Sequence, residues 1–265
     1  MEIRPGIELA NLTDTGCERD NNEDYFAYCE PETDEEFVRK GRLAIVADGM
    51  GGEEGGEIAS RLAVETIRHE YLNSPESNPL DSLVQSFQAA HSTILNFARQ
   101  RPELRSMATT CTAVAINDGC AYFAHIGDSR LYLIRESSIL QLTHDHTAIN
   151  QLLQNGVITP GEAVNHPQRN VLTAALGAKQ EVKADFAQAP IPLDPGDVLL
   201  LCTDGLWGLI SDAEILSVVK SQAPRDACKQ LVRMAKDRGG PDNITVQILR
   251  IGDAQPDTRR NGNGR

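Results

Sequence analysis

Leu43-Ala44-Ile45-Val46-Ala47-Asp48-Gly49-Met50-Gly51-Gly52 is the stretch from which the rest of the chain is read. The residues from Leu43 to Ala47 are all apolar or small, the pattern of a strand buried on both faces. The run stops at a carboxylate, Asp48, and Gly49, Gly51, Gly52, Gly55 and Gly56 follow. A strand that delivers one Asp into a glycine-lined turn holds that Asp close to something bulky or charged. Two nucleotide loops are excluded. Counting GxxxxGK[ST] from Gly51 puts Gly56 in place but Glu57 where the lysine belongs, and a GxGxxG finger from Gly49 needs glycine where Glu54 stands. The glycines then serve to let backbone carbonyls approach a cation, with Gly49 the best placed.

Working outward, the segment Thr13 to Asp24 is too dense in charge to be core, and Tyr25-Phe26-Ala27-Tyr28 has strand composition. Glu30 to Lys40 reads as an acidic, exposed hairpin connection. Beyond the glycines, Ile58, Ala59, Leu62, Ala63, Ile67 and Tyr71 recur at helical spacing, predicting a helix over 56–72. Asn78-Pro79 then supplies an N-cap and a first-turn proline for a second helix, whose stripe runs from Leu80 through Phe87, His91 and Ile94 to Ala98. His91 on that stripe reads as a packed histidine. Asp118-Gly119 between two apolar runs marks a hairpin, Thr110 to Ile116 and Ala121 to Ile126, and a second hairpin links Leu131–Ile134 to Leu140–Thr143.

From His144 to Gln180 the pattern is short and irregular, with a capping box at Thr159 and Glu162. Strands at 182–186 and 198–203, helices from Ser211 to Lys220 and over 225–237, and a strand at 244–249 complete the order. The tail from Asp253 has no apolar content and is expected to be disordered. The chain is therefore expected to form one α+β domain over 1–252, with antiparallel sheets.

With 38 Asp plus Glu against 25 Lys plus Arg, the formal charge of −13 disfavours nucleic acid and anionic lipid as partners. It suits either divalent cations or simple solubility. The 6 cysteines are scattered without a CxxC pair and fit reduced thiols in a cytoplasmic protein. No apolar run approaches the ~20 residues of a membrane span, and Glu2 and Glu8 bracket a start unlike a signal peptide. His144-Asp145-His146 has no second histidine cluster at zinc spacing and reads as structural.

The chemistry gathers on aspartates. Asp48 precedes Gly49, Asp128 follows Gly127, Asp204 precedes Gly205, and Asp242 stands just before the last strand. Brought to one rim, these carboxylates would repel one another and raise each other's pKa unless hard divalent cations joined them. Two such ions ~4 Å apart can activate water and stabilise an in-line displacement at phosphorus. Arg19 is the basic residue of the Thr13–Asp24 cluster. Its guanidinium suits a phosphate, or alternatively a surface pair with Glu23.

Together these segments resemble the metal-dependent protein phosphatases called PP2C or PPM, of the bacterial type. The resemblance rests on Thr13-Asp14-x-Gly16-x-x-Arg19-x-x-Asn22-Glu23-Asp24, Val46 to Gly52 with Ala59-Ser60, Thr109-Thr110 and Gly127-Asp128-Ser129-Arg130. It continues through Leu142-Thr143, Asp145-His146, His166-Pro167-x-x-Asn170-x-Leu172-Thr173-x-x-Leu176-Gly177, Asp204-Gly205-Leu206-Trp207 and Asp242-Asn243-Ile244-Thr245. The resemblance implies an α-β-β-α sandwich, two antiparallel sheets flanked by antiparallel helix pairs, with a flap at about 144–180. It implies two core Mn²⁺ or Mg²⁺ ions held by Asp48, the Gly49 carbonyl, Asp204 and Asp242. Glu23 and Asp24 would act through water, and Asp128 would join Asp204 at a weaker third ion. Arg19 would bind the substrate phosphate. The implied activity is hydrolysis of phosphoserine and phosphothreonine in proteins by direct attack of a metal-bridging water, carried out by a cytoplasmic monomer. A catalytically silent phosphoprotein-binding relative is the alternative, and a hydrolase of small phosphoesters a further one. Two departures stand out. Met50 occupies a position where many eukaryotic members carry a proton-donating histidine; His125 is a candidate substitute, but strand alternation points it opposite to Asp128. Gly208 replaces an aspartate that some members use at the third ion.

Overall fold

The computed structural model describes residues 3–51, 55–163, 166–168, 171–178, 181 and 183–252. The motif positions Gly52, Glu54 and Asn170, the start of the expected strand at Val182 and the expected disordered tail 253–265 fall outside these. The chain first forms β1 (Ile7–Asp14), β2 (Asp24–Cys29), α1 (Asp34–Lys40) and β3 (Arg42–Met50), then the long helices α2 (Gly55–Asn73) and α3 (Pro79–Arg99). A run of strands follows: β4 (Ala108–Thr109), β5 (Cys111–Asn117), β6 (Cys120–Ile126), β7 (Arg130–Arg135) and β8 (Ser138–Gln141). After α4 (Ala148–Gln154) and α5 (Pro160–Ala163) come β9 (Asp185–Phe186), β10 (Ile191–Pro192) and β11 (Val198–Cys202). The chain closes with α6 (Asp204–Trp207), α7 (Asp212–Ser221), α8 (Pro224–Asp237) and β12 (Ile244–Ile251).

The strands make two antiparallel sheets. One has the order β1-β12-β11-β7-β8; the other has β10-β6-β5-β3-β2, with β4 beside β3 and β9 beside β6. Helices α2 and α3 pack together and cover the β3 sheet, while α7 and α8 cover the β12 sheet. Three apolar layers result, one under each helix pair and one between the sheets. Strand β3 shows why its sequence is apolar throughout. Leu43, Ile45 and Ala47 face the α2–α3 layer, and Ala44 and Val46 face the layer between the sheets.

Local signals explain most elements. The Asn78 side chain accepts from the Leu80 amide (2.9 Å) at the start of α3, where Pro79 fits the first turn. Leu83, Phe87, Ala90 and Ile94 then line the buried face, and His91 is packed with them, its Nδ1 accepting from the Gly177 amide. Asp118 and Gly119 both take positive φ, 48° and 70°, which makes the β5–β6 turn. Ser211 and Glu214 form the capping box of α7. Cys29, Cys111, Cys202 and Cys228 are buried free thiols, whereas Cys17 is exposed.

The structure differs from the expectations at several places. β3 does not stop at Asp48 but runs on to Met50, because Gly49 and Met50 pair with Thr109 and Ala108 of β4. The polar start hides β1, whose partner β12 is remote in sequence. Glu30 to Lys40 is largely exposed, as expected, but it carries α1 rather than a bare connection, and its two ends are buried. Thr33 caps α1, Glu30 is buried against Arg42 (3.1 Å), and Lys40 is fully buried, donating to the Glu76 carbonyl (2.8 Å) and Ser82 Oγ (2.9 Å). β8 ends at Gln141 rather than Thr143, and the short β10 had no signal. Asp24, in the segment judged too charged for core, is buried.

Candidate metal centre

The alternation of β3 places Asp48 on the face of Ala44 and Val46, between the sheets at their rim. Its amide donates to Thr110 Oγ1 (3.0 Å), and its carbonyl accepts from the Thr110 amide (2.9 Å) and Thr109 Oγ1 (2.8 Å). Asp24 lies directly opposite on β2. From there its Oδ2 crosses to the other sheet, accepting from Thr203 Oγ1 (2.8 Å) and Thr245 Oγ1 (2.6 Å). Asp204 opens α6 at the end of β11, and Asp242 stands just before β12. Asp128 is buried in the β6–β7 turn, where its backbone carbonyl accepts from Trp207 Nε1 (2.9 Å).

The Thr13–Asp24 loop is laid against the approach to β12. The Cys17 amide donates to the Gly240 carbonyl (2.7 Å), and the Glu23 amide to Asn243 Oδ1 (2.8 Å). Asn243 in turn donates to the Thr15 and Asn21 carbonyls, both at 2.9 Å. This docking brings Arg19 to Asp242, an ion pair of 2.9 Å. Glu23 sits next to the glycine turn: its carbonyl accepts from the Gly49 amide (3.1 Å). The turn needs its glycines for space. A Cβ on Gly49 would lie 2.0 Å from the Gly56 carbonyl oxygen, and one on Gly56 would lie 2.5 Å from Glu23 Oε1.

The structure thus brings together Asp24, Asp48, Asp128, Asp204 and Asp242, with Arg19, Glu23 and Gly49 beside them. The electrostatics match the crowding. Burial, then the charges of Asp24, Asp204, Asp128 and Asp242, holds the Asp48 carboxyl well above its ordinary range. Burial pushes Asp24 up to about 7 against the two threonine hydroxyls, and Asp128 up to about 8 with Asp204 adding to it. Asp204 rises to about 6 through burial and Asp242. Glu23 is raised as well, chiefly by burial, against the pull of Arg19.

Two carboxylate oxygens, Asp24 Oδ1 and Asp204 Oδ1, are buried without a hydrogen-bond partner among the described residues. Such atoms are costly unless something positive meets them. The set around them is all oxygen, which suits hard Mg²⁺ or Mn²⁺ and not a soft metal. Among the described residues no three His, Cys, Asp or Glu side chains are gathered at coordination distance. Asp242 is engaged by Arg19, and Asp24 Oδ2 by the two threonines. The all-oxygen donor chemistry fits a divalent ion.

The sequence profile of the protein phosphatase 2C family matches residues 18–247. The chain belongs to the protein phosphatase 2C family. It is 40% identical over 248 residues to protein phosphatase PhpP of Streptococcus pneumoniae, covering 92% of this chain and 97% of that protein. Among solved structures, the S. agalactiae serine/threonine phosphatase superposes with a TM-score of 0.84 at 33% identity, covering 92% of this chain and 99% of that one. The catalytic domain of the serine/threonine protein phosphatase PstP, solved with two manganese ions, gives 0.79 at 32% identity over 94% of this chain and 99% of that one.

Within this family frame, the proton-donor positions are informative. Met50 has no transferable proton. His125 is fully buried, with Nε2 donating to the His144 carbonyl (3.2 Å) and Nδ1 bonded to the Thr112 hydroxyl (2.8 Å). Burial, and then His146, lowers its pKa to about 3, so it is a neutral structural residue. Asp145 takes Arg130 in a two-pronged pair, and His146 Nδ1 accepts from the Gly127 amide (3.1 Å). Sequence reasoning gave no role to Thr203 or to Thr245, the last residue of the Asp242-Asn243-Ile244-Thr245 motif, although their hydroxyls fix Asp24.

Proposed function

We propose that this protein is a metal-dependent phosphatase of phosphoserine and phosphothreonine proteins and that the aspartate rim is its catalytic centre. The observation that carries the assignment is the pair of buried, unpartnered oxygens, Asp24 Oδ1 and Asp204 Oδ1, inside a cluster of raised carboxylates. Asp48, Asp204, Asp242 and the Gly49 carbonyl would hold two Mn²⁺ or Mg²⁺ ions, with Glu23 and Asp24 acting through water. Asp128 and Asp204 would hold a weaker third. When bound, the ions supply Lewis acidity and an ionised water at neutral pH.

The chain's own residues prepare that chemistry. Thr109 and Thr110 fix the Asp48 main chain, and Thr203 and Thr245 orient Asp24. Arg19, standing on the exposed side of the rim, offers paired N–H donors to two phosphate oxygens. We further infer one catalytic domain over 1–252, with 144–180 as its flap, working as a cytoplasmic monomer. No helix among the described residues is long and apolar enough to cross a membrane. The net charge of −13 argues against nucleic acid or anionic lipid as partners.

The test is turnover of p-nitrophenyl phosphate and of a phosphothreonine peptide against Mn²⁺ concentration. Activity is expected to require Mn²⁺ and to vanish in Asp48→Ala and Asp242→Ala while both variants keep the wild-type circular dichroism spectrum. Metal-independent turnover, or near-normal turnover in either variant, would overturn the assignment. Binding of the phosphopeptide with no turnover at any Mn²⁺ concentration would select the silent relative instead.

A further inference from the structure

Beside the rim lies a cavity of about 730 Å³ whose wall includes Asp204 and Asp242. It opens directly onto the carboxylate cluster. Its remaining surface comes from the turn after β8, from α4 and from the segment that follows Asp204. Ile149 and Leu153, four apart on α4, share one helix face, and Trp207 and Leu209 also line the cavity. All four are half-buried, so apolar surface stays in contact with water. Gly208 lies between the last two and adds no side chain where some relatives place a carboxylate.

Away from the rim carboxylates Asp204 and Asp242, the charged pair in the wall is matched internally. Arg130 donates from Nε (3.0 Å) and Nη2 (2.7 Å) to Asp145 and from Nη1 to the Tyr132 hydroxyl (2.9 Å), with its guanidinium 3.6 Å from the Trp207 ring centre. Asp145 also accepts from Gln141 Nε2 (2.9 Å). Arg130 is thus held away from an acidic side chain and Asp145 has little capacity left for a basic one, while Asp204 and Asp242 are the carboxylates assigned above to the metals. What the cavity does offer is uncovered apolar surface next to the place where the phosphate is cleaved.

We propose that this cavity receives an apolar side chain of the substrate polypeptide, about one to three residues from the phosphorylated residue given ~3.3 Å per extended residue. Ile149 and Leu153 are its specificity-determining residues. The inference rests on the phosphatase reading and deepens it: it names the substrate class as phosphoproteins with Leu, Ile, Val or Met near the phosphorylated residue. Burying a leucine in place of alanine there favours the substrate by about tenfold in kcat/KM.

The experiment uses the whole chain with Mn²⁺ and a set of phosphothreonine peptides that vary Leu, Ala, Asp and Lys at each of the three positions on either side. Leu is expected to exceed Ala by about tenfold at one of these positions. Ile149→Ser and Leu153→Ser should each abolish that preference, and Leu153→Met should keep it. Turnover of p-nitrophenyl phosphate, which has no flanking chain, should stay within about twofold in all three. A wild-type preference for Asp or Lys, or no preference, overturns the proposal. So does a leucine preference that survives both serine variants, or a parallel loss of p-nitrophenyl phosphate turnover. If the wild type fails to turn over p-nitrophenyl phosphate with Mn²⁺, the phosphatase reading itself falls, which is a distinct outcome.

Discussion

Arg19 Nη2 donates to Asp242 Oδ2 across 2.9 Å, joining residues 223 positions apart in the chain. Both side chains are substantially exposed, 50% and 34%, so the pair adds on the order of 0–1 kcal/mol to stability. Its importance is chemical. The guanidinium proposed for the substrate phosphate rests on a carboxylate proposed for a metal, so an ion bound at Asp242 would free Arg19 for phosphate.

Arg19→Ala should therefore raise KM for a phosphopeptide by about tenfold, change kcat by less than about threefold, and leave the melting temperature nearly unchanged. Steady-state kinetics and a thermal melt check this. An unchanged KM would return Arg19 to a surface role.

The glycine turn makes a sharper prediction about folding. Gly49→Ala places a methyl 2.0 Å from the Gly56 carbonyl oxygen and 2.7 Å from the Glu23 carbonyl oxygen, and both neighbours are backbone. Urea unfolding should show a loss of at least about 2 kcal/mol, together with lost activity. Wild-type stability would mean that the turn can open.

Asp128→Ala tests the proposed third ion apart from the proposed core pair. Trp207 is held by the Asp128 main-chain carbonyl, so the substitution leaves that contact in place. Metal analysis after gel filtration should find two Mn²⁺ retained, while phosphopeptide turnover falls at least about tenfold. Loss of all metal would join Asp128 to the core pair.

Lys40 gives a pH dependence away from the centre. Burial, and then Arg39, lowers its pKa from 10.5 to about 8, although the Glu76 charge opposes the shift. Between those values the unfolded chain holds more protons than the native one, so stability contributed at this position rises with pH from about 8 to 10.5. The difference in melting temperature between wild type and Lys40→Met should shift in favour of the wild type across that window. A constant difference would contradict the burial of a charged ammonium there.

The parts of the fold legible beforehand are those whose signal is local. The Asn78-Pro79 cap, the Asp118-Gly119 turn and the Ser211–Glu214 box each act within four residues, so the stretch that carries them is enough. β1 was missed because Ile7, Leu9 and Leu12 become strand residues only against β12, for example where Leu9 faces Leu249. α1 was missed because acidic Asp34, Glu35 and Glu36 resemble a solvated loop, although they suit the first turn of a helix capped by Thr33. In the centre, Asp48, Asp204 and Asp242 were visible because each stands where an apolar run starts or stops. The burial of Asp24 was not, since it depends on hydroxyls from Thr203 and Thr245, 179 and 221 residues away. The ion pair of Arg19 and the cavity beside α4 are likewise products of the assembled fold.

The pairing of β1 with β12 sets a limit on when this protein can act. Thr245, which fixes Asp24, lies on β12, and Asp242 comes immediately before it. A ribosome adding roughly 5–20 residues per second has released nearly all of the described chain before either is available. Until then Asp24 lacks the Thr245 hydroxyl and Arg19 lacks Asp242. A chain cut before Asp242 lacks both contacts, so the two ends of the described chain have to meet before the carboxylate rim is assembled.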